Sequence, residues 1–273
     1  MPELPEVERA ATLLRAAIVG RTILQVRALH PAIARSLTAR ARKALLGRRV
    51  ERVERRAKHQ LIYLDDGRVL EVHFKMTGDW FIGRAPDAPP PQERARLVFD
   101  DGTRVSLIDG RAFAVMRVHA PGELKLPPLG PEPTDPAFNA AYLREKLARR
   151  KISIKQVLLD QKLVAGLGNI YTSEALWEAR VHPAVVASRL TKAGSERLVS
   201  AIRLVLQRAP AERYYDRDGK SLTGDTALSG MSDDQWRVYG REGEPCPRCT
   251  RTKIKRITQG SRSTFFCPHC QKI

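Results

Sequence analysis

Apolar and polar residues alternate in two different ways along the chain. Near its start Val7, Ala11, Leu14 and Ile18 recur at helical spacing, which predicts an amphipathic helix that ends at Gly20. Short runs with a period of two follow and predict β-strands. The predicted strands cover residues 22–29, 48–55, 60–64, 68–74, 96–99, 104–108 and 113–118.

Two Asp-Gly pairs, Asp66-Gly67 and Asp101-Gly102, separate predicted strands and favour tight hairpin turns. Closely spaced antiparallel strands predict a β-sandwich or barrel behind the leading helix. Residues 121–136 contain six prolines and are typical of a linker. The period then becomes helical. The predicted helices cover residues 137–149, 153–159, 170–179 and 192–207.

The four cysteines form two C-x-x-C pairs, which are separated by seventeen residues. This spacing predicts one tetrahedral Zn²⁺ site at Cys246, Cys249, Cys267 and Cys270; two disulfides or four unrelated thiols are the alternatives. Because four thiolates leave no open coordination position, we expect a structural metal. The residues between the two pairs alternate on either side of a Gly-Ser turn and predict a β-hairpin.

The charge balance suggests a class of partner. The 273 residues include 48 Lys+Arg and 30 Asp+Glu, a net charge of +18. Such an excess favours a nucleic-acid partner, although a solvated basic surface without a specific partner is the alternative. No apolar run approaches membrane-spanning length, and the acidic N-terminus differs from a signal peptide. We therefore expect a cytoplasmic protein with no membrane partner.

Six sequence blocks extend over essentially the whole chain. They are PELPEVE at 2–8, RRAK at 55–58, HFKMTG at 73–78, GLGNIY at 166–171, VYGREGEPC at 238–246 and GSRSTFFC at 260–267. In this order they resemble the formamidopyrimidine-DNA glycosylases, the Fpg/MutM group of bifunctional base-excision enzymes. The resemblance implies an α+β protein with an N-terminal antiparallel β-sandwich and its leading helix, a helix-two-turn-helix module and a zinc β-hairpin finger.

The resemblance also implies a domain division and a partner. The expected divisions are a catalytic domain at 1–120, a linker at 121–136, a helical domain at 137–240 with a lesion-capping loop at 213–231, and a finger at 241–273. The expected partner is double-stranded DNA that contains an oxidised base or an abasic site, bound between the domains. We expect the protein to act as a monomer.

The resemblance gives the first residues a chemical role. Pro2 becomes terminal once Met1 is removed, and its amine is the family's nucleophile on C1′ of the damaged nucleotide. An α-amine with a pKa near 8 is neutral in about one molecule in five at pH 7.4, which suits this role. Glu3 is implied as the general acid for the sugar ring oxygen. The alternative is that Pro2 is only a processing signal and Glu3 a favourable charge in the first turn of a helix.

Two further catalytic residues are implied by the resemblance. Lys58 approaches the damaged base and a backbone phosphate and assists β-elimination. Arg262, at the turn of the finger, contacts the phosphates beside the lesion and assists δ-elimination, which suits a guanidinium that can donate two hydrogen bonds. From the residues alone, Lys58 could instead be an exposed strand end and Arg262 a solvated side chain.

The remaining implied sites contact DNA. Lys155 and Asn169 look like the family's phosphate ligands, and Arg150 is a candidate of the same kind. The turn before Asn169 is equally compatible with an ordinary helical corner. Three residues match the set that fills the gap left by an extruded base: Met76, Arg111 and Phe113. For Met76 and Phe113, a place in the core is the alternative.

Three departures from the family pattern affect these expectations. Ala112 stands where the family usually has a second arginine, and Lys75 where a glycine is common. The capping-loop region lacks the usual Gly-Glu-x-Gly-aromatic pattern. The expected function is excision of 8-oxoguanine and formamidopyrimidines followed by β,δ-elimination. An endonuclease VIII-like enzyme for oxidised pyrimidines is an alternative that Leu4 argues against, because that group usually has glycine there; a non-catalytic zinc protein that binds damaged DNA is another.

Overall fold

A computed structural model of the chain describes residues 1–209 and 236–273. The predicted capping loop at 213–231 lies outside these residues. The described chain forms two compact units, residues 1–126 and residues 127–209 with 236–273. None of the helices in the described ranges is long and apolar enough to cross a bilayer.

The first unit begins with helix α1, Leu4–Ile18. Its buried face includes Val7, Ala11 and Leu14, so the predicted helical spacing is confirmed. The helix is followed by Gly20, whose φ of +82° is in the left-handed region that glycine tolerates.

Two four-stranded antiparallel sheets follow, and they confirm the predicted sandwich. One sheet has the order β1-β6-β7-β5, and the other has the order β2-β3-β4-β8. Both predicted Asp-Gly turns form hairpins, because they join β3 to β4 and β6 to β7. The strands are β1 Ile23–Ala28, β2 Val50–Arg56, β3 His59–Leu64, β4 Val69–His73, β5 Gly78–Arg84, β6 Glu93–Phe99, β7 Thr103–Asp109 and β8 Val115–His119.

Three elements of this unit were not expected from the sequence. Strand β5 begins at Gly78 and has Gly83 near its end, and these glycines resemble turn signals. It forms because its backbone pairs with β7, far along the chain. The short helices α2, Pro31–Ser36, and α3, Ala39–Leu45, start at the N-caps His30 and Thr38. Each contributes a single buried side chain, a pattern too short to show a helical period.

One core joins the two sheets and α1. Trp80 and Phe74 pack edge to face with their ring centroids 5.5 Å apart. The indole N–H of Trp80 donates to Gln60 Oε1 at 2.8 Å, so this buried polar group is paired.

The second unit contains helices α4 Ala140–Leu147, α5 Ile154–Leu158, α6 Asn169–Glu178 and α7 Lys192–Gln207, with a 3₁₀ turn at Ala187–Arg189. All four predicted helices are present, and α7 has its predicted bounds. Helix α4 begins three residues later than expected, because Asn139 caps it by accepting the backbone N–H of Tyr142 at 3.0 Å.

The finger ends in a hairpin of β9, Lys255–Gln259, and β10, Arg262–Phe266. Gly260 and Ser261 form its two-residue turn with φ values of +55° and +62°. Positive φ at both positions matches the twist of a tight hairpin, so the predicted Gly-Ser turn is confirmed.

Candidate functional site

Glu3 lies at the start of α1 as its N-cap residue, with only 1% of its surface exposed. Its backbone N–H donates to Glu6 Oε2 at 2.8 Å, which fixes the entry of the chain into the helix. The unpaired N–H groups of a helix start favour negative charge, so a buried carboxyl is tolerated here.

The α-amino group of Met1 is partly removed from solvent. Burial lowers its pKa below the usual value of 8.0; Glu3 and Glu6 oppose this, and the charges of Lys58 and Arg111 add to it. These four side chains therefore lie within electrostatic range of the amine. The structure thus brings the start of the chain, Glu3 and Lys58 together in a place that disfavours the charged form of an amine.

Lys58 occupies the turn between β2 and β3 and is 7% exposed. It follows Ala57, whose φ is +53°. Arg55 fixes the turn from the β2 side: its Nη1 donates to the carbonyl of Ala57 at 3.1 Å, and its Nε lies 2.5 Å from Glu8 Oε2. Because Glu8 belongs to α1, the same arginine links the turn to the helix that begins at Glu3.

His73 also belongs to this region, and the sequence analysis did not single it out. Burial, together with the charges of Lys75, His59 and Lys58, lowers the pKa of His73 to about 3. The ring is therefore neutral at physiological pH. A histidine inside a matched sequence block was the only signal that could have identified it.

Two loops that bear Met76, Arg111 and Phe113 are tied together by a buried carboxylate. Asp109 accepts hydrogen bonds from the hydroxyl of Thr77, from the backbone N–H of Arg111 at 3.1 Å and from that of Ala114 at 2.7 Å. The loops are therefore fixed to each other, although their tips lie at the surface.

The three predicted gap-filling residues differ in exposure. Phe113 is 52% exposed and so lies outside the core, whereas Met76 is half-buried. The guanidinium carbon of Arg111 lies 5.1 Å from the centroid of the Phe113 ring, which is within range of a cation–π contact.

Two departures from the family pattern lie in these loops at positive φ. Lys75 has a φ of +58° and Ala112 a φ of +54°. The left-handed region favours glycine, because a side chain there adds steric strain. Lys75 adopts this conformation while its backbone N–H donates to His73 Nδ1 at 3.0 Å, and the strain costs on the order of 1 kcal/mol.

In the second unit, two predicted site residues converge on the finger hairpin. Lys155 is fully buried, and its Nζ donates to the carbonyl of Ser263 at 2.9 Å and to the hydroxyl of Thr264 at 2.5 Å. Asn169, the first residue of α6, donates from Nδ2 to the same carbonyl at 3.0 Å. Ser263 directly follows Arg262, which is exposed. The two side chains therefore hold the backbone beside that arginine.

Lys155 is one of the residues that the resemblance implies as phosphate ligands. Its ammonium is enclosed by the protein and hydrogen-bonded to the finger hairpin. Arg150 is not part of this group. It is exposed, and its guanidinium lies 3.8 Å from Asp160, a distance at which a surface ion pair contributes little.

Glu174 is a buried residue that the sequence analysis missed. Its carboxylate accepts the backbone N–H groups of Arg237, Val238 and Tyr239 at 2.8 to 2.9 Å. Burial raises its pKa, and the three hydrogen bonds oppose this rise. Helix α6 is thus joined to the segment that enters the finger. No local signal marks it, because the backbone groups that bind its carboxylate lie more than 60 residues later.

The four cysteine sulfurs lie within 4.8 Å of one another, and they form the one cluster of possible metal ligands in the described ranges. Sγ of Cys246 is 3.9 Å from that of Cys270, and Sγ of Cys249 is 3.7 Å from that of Cys267. A tetrahedron with Zn–S bonds of about 2.3 Å requires sulfurs about 3.8 Å apart, so the group fits one structural zinc. The disulfide alternative is wrong, because a disulfide joins sulfurs about 2.05 Å apart.

Three family models match the sequence. They are the formamidopyrimidine-DNA glycosylase N-terminal domain at residues 1–116, the H2TH domain of the same enzymes at 129–214, and a zinc finger found in FPG and IleRS at 243–273. No part of these three matches overlaps another, and together they cover most of the chain.

Curated relatives are similar over the full length. A formamidopyrimidine-DNA glycosylase of Chloroflexus aggregans is 42% identical over 100% of this chain and 99% of the relative. One from Novosphingobium aromaticivorans is 40% identical over 100% of both chains.

Solved structures are similar as well. MutM in complex with DNA containing carbocyclic 8-oxo-G has a TM-score of 0.87 and 32% identity over 100% of both chains. Lactococcus lactis Fpg in complex with DNA containing an abasic site has a TM-score of 0.87 and 30% identity, over 99% of this chain and 100% of that one.

Proposed function

This chain belongs to the formamidopyrimidine-DNA glycosylase family, and from that premise we propose that it excises oxidised purines from DNA and then nicks the abasic strand. The substrates are 8-oxoguanine and formamidopyrimidines in double-stranded DNA. The observation that carries the proposal is the grouping of the start of the chain with Glu3 and Lys58, since the Met1 amine is partly desolvated and within electrostatic range of both side chains.

The proposed chemistry begins at the chain terminus. With Met1 removed, the Pro2 nitrogen forms a bond to C1′ while the bond from C1′ to the base breaks, and the base leaves with a proton that replaces the one lost from the amine. Glu3 gives its proton to the sugar ring oxygen, so the ring opens and a Schiff base remains. The surroundings favour the neutral amine that this requires, since burial lowers the pKa of the Met1 amine one residue before Pro2.

Strand nicking follows from the Schiff base. In β-elimination a 2′ proton and the 3′ phosphate leave, and in δ-elimination a 4′ proton and the 5′ phosphate leave. We assign assistance in the first step to Lys58 and in the second to Arg262. An exposed guanidinium on a tightly held hairpin is suited to bind a departing phosphate.

The remaining DNA contacts are assigned by accessibility. Arg262, Asn169 and Arg150 are proposed to contact phosphates, and the net charge of +18 supports a polyanionic partner. Buried Lys155 is proposed to act through the hairpin, since it holds the carbonyl next to Arg262. Zinc bound to the four cysteines stabilises the finger that carries this hairpin.

Met76, Arg111 and Phe113 are proposed to fill the gap left by the extruded nucleotide. A half-exposed phenylalanine that packs against an arginine can enter a base stack, and the arginine can pair with the orphaned cytosine.

The gap-filling assignment predicts a separation of steps. Phe113→Ala should slow release of 8-oxoguanine from an intact duplex by about tenfold or more, because extruding a stacked base costs a few kcal/mol. Cleavage of a preformed abasic site should change much less, since little unstacking is needed there. Single-turnover rates on the two duplexes measure the difference. Equal losses on both substrates would show that Phe113 contributes to the folded structure instead. Phe81→Ala, in β5 and outside these loops, is the control.

The proposed domains are a catalytic domain at 1–120, a linker at 121–136, a helical domain at 137–240 and a finger at 241–273. The protein is proposed to act as a monomer in the cytoplasm.

A panel of duplexes tests the proposed function. Each duplex carries one 8-oxoguanine, one oxidised pyrimidine, one abasic site or no lesion. The proposal expects base release from the 8-oxoguanine duplex. It expects nicking of the 8-oxoguanine and abasic duplexes, with phosphates at both ends of the gap, and little cutting of the other two. Preferential cutting of the oxidised pyrimidine would favour the endonuclease VIII-like alternative. Tight binding without any cutting would favour a damage-binding protein.

A further inference from the structure

A buried carboxylate with two imidazole partners lies on the sheet β2-β3-β4-β8. Glu71 on β4 accepts a hydrogen bond from Nδ1 of His59 on β3 at 2.7 Å and one from Nε2 of His119 on β8 at 2.8 Å. The strand register explains the arrangement. Glu71 pairs directly with Leu61 and Arg117, so each histidine reaches it from the diagonal position on a neighbouring strand.

The protonation of this group follows from its contacts. Burial raises the pKa of the Glu71 carboxyl, but the hydrogen bonds from His59 and His119 outweigh burial and bring it down to about 2. The carboxylate is therefore ionised at neutral pH and can only accept hydrogen bonds. Each ring is held by a hydrogen bond to this carboxylate, so Glu71 fixes the orientation of both rings.

Of the two histidines, only His59 lies next to a residue of the candidate active site. His59 directly follows Lys58 and pairs across the sheet with His73, and the two rings meet edge to face with centroids 4.7 Å apart. His73 is close enough to Lys58 for that lysine to lower its pKa. His119 instead pairs with Val69, at the opposite end of β4 from His73.

The turn that carries Lys58 is thus held from both sides. Arg55 holds it on the β2 side through the carbonyl of Ala57. On the β3 side the first residue is His59, whose ring is fixed by Glu71 and packed on His73. We propose that His59, held by Glu71, is a positioning residue that sets the place of Lys58 for the strand-nicking step.

This inference rests on the proposed function, because it takes Lys58 to assist β-elimination. A lysine side chain is flexible, and displacement of a reacting group by about 1 Å can cost on the order of 100-fold in rate. Base release depends on the amine and on Glu3, which α1 positions. Loss of the His59 contact should therefore slow nicking more than base release.

The two histidines provide a matched pair for the test, because each donates one hydrogen bond to the same carboxylate. His59→Ala should slow nicking of a preformed abasic duplex about tenfold or more, and Glu71→Gln should behave in the same way. His119→Ala should keep nicking close to the wild-type rate. His59→Asn should recover much of the loss, because its amide N–H lies near the position of Nδ1 and can donate to Glu71.

The measurements are single-turnover nicking, single-turnover release of 8-oxoguanine, and thermal unfolding of each variant. The inference is overturned if His59→Ala nicks at the wild-type rate, if His119→Ala loses as much as His59→Ala, or if base release falls as far as nicking. If His59→Ala does not fold, Glu71→Gln decides: a lowered ratio of nicking to release supports the inference, and a normal ratio overturns it. A wild-type protein that nicks no abasic DNA would contradict the proposed function instead.

Discussion

Glu3→Gln should bind duplex DNA that contains 8-oxoguanine nearly as tightly as the wild type and yet release almost no base. The amide keeps the shape of the buried side chain at the start of α1 but cannot supply the proton for the sugar ring oxygen. General acid catalysis contributes roughly 100- to 10,000-fold, so we expect a loss in that range. Single-turnover base release, together with a binding titration, measures the two effects separately.

Glu123→Gln is a suitable control, because that carboxylate is exposed and lies in a loop after β8. It should leave both binding and base release unchanged. A Glu3→Gln protein that releases base at a rate close to the wild type would remove Glu3 from the chemistry and leave it as a helix-capping residue.

Cys267→Ser should lose zinc and most DNA affinity together. Cys267 is fully buried in the small core of the finger, and structural zinc contributes roughly 10 to 16 kcal/mol in such sites. Without the metal, the hairpin that carries Arg262 should unfold. The first unit should stay folded, since its core contains no residue of the finger. Metal analysis, DNA titration and circular dichroism check these three expectations.

His269→Ala is the matched control for the zinc site. His269 lies between Cys267 and Cys270 in sequence, but it is exposed and is not part of the four-sulfur cluster. This variant should keep one zinc per chain and bind DNA at close to wild-type affinity. A wild-type protein without zinc, or a Cys267→Ser protein that retains it, would contradict the assignment.

Features that depend on short stretches of sequence could be predicted. The C-x-x-C pairs predicted the zinc site, and Gly260-Ser261 predicted the hairpin turn. The helical period predicted α7 with its observed bounds. In each case the residues that form the feature are close in sequence or share a simple period. The composition of local segments was therefore sufficient.

Features that depend on partners far along the chain could not be predicted. The partner of Lys155 lies 108 residues away at Ser263, so its burial was not visible in the helix itself. Likewise, Glu174 is bound by backbone groups more than 60 residues later. The carboxylate that His59 and His119 share became visible only once β8 paired with β4 instead of with its neighbour in sequence.

The most direct test of the account is to locate the covalent bond between protein and DNA. Borohydride should trap the wild type on 8-oxoguanine DNA, and sequencing of the adducted peptide should find Pro2 blocked. A form that retains Met1 or carries an N-terminal tag should give no adduct, although it should bind DNA within a few-fold of the wild type because its basic residues are unchanged. If the tagged form is trapped and cuts damaged DNA at the wild-type rate, the terminal amine is not the nucleophile, and an internal lysine such as Lys58 must take its place.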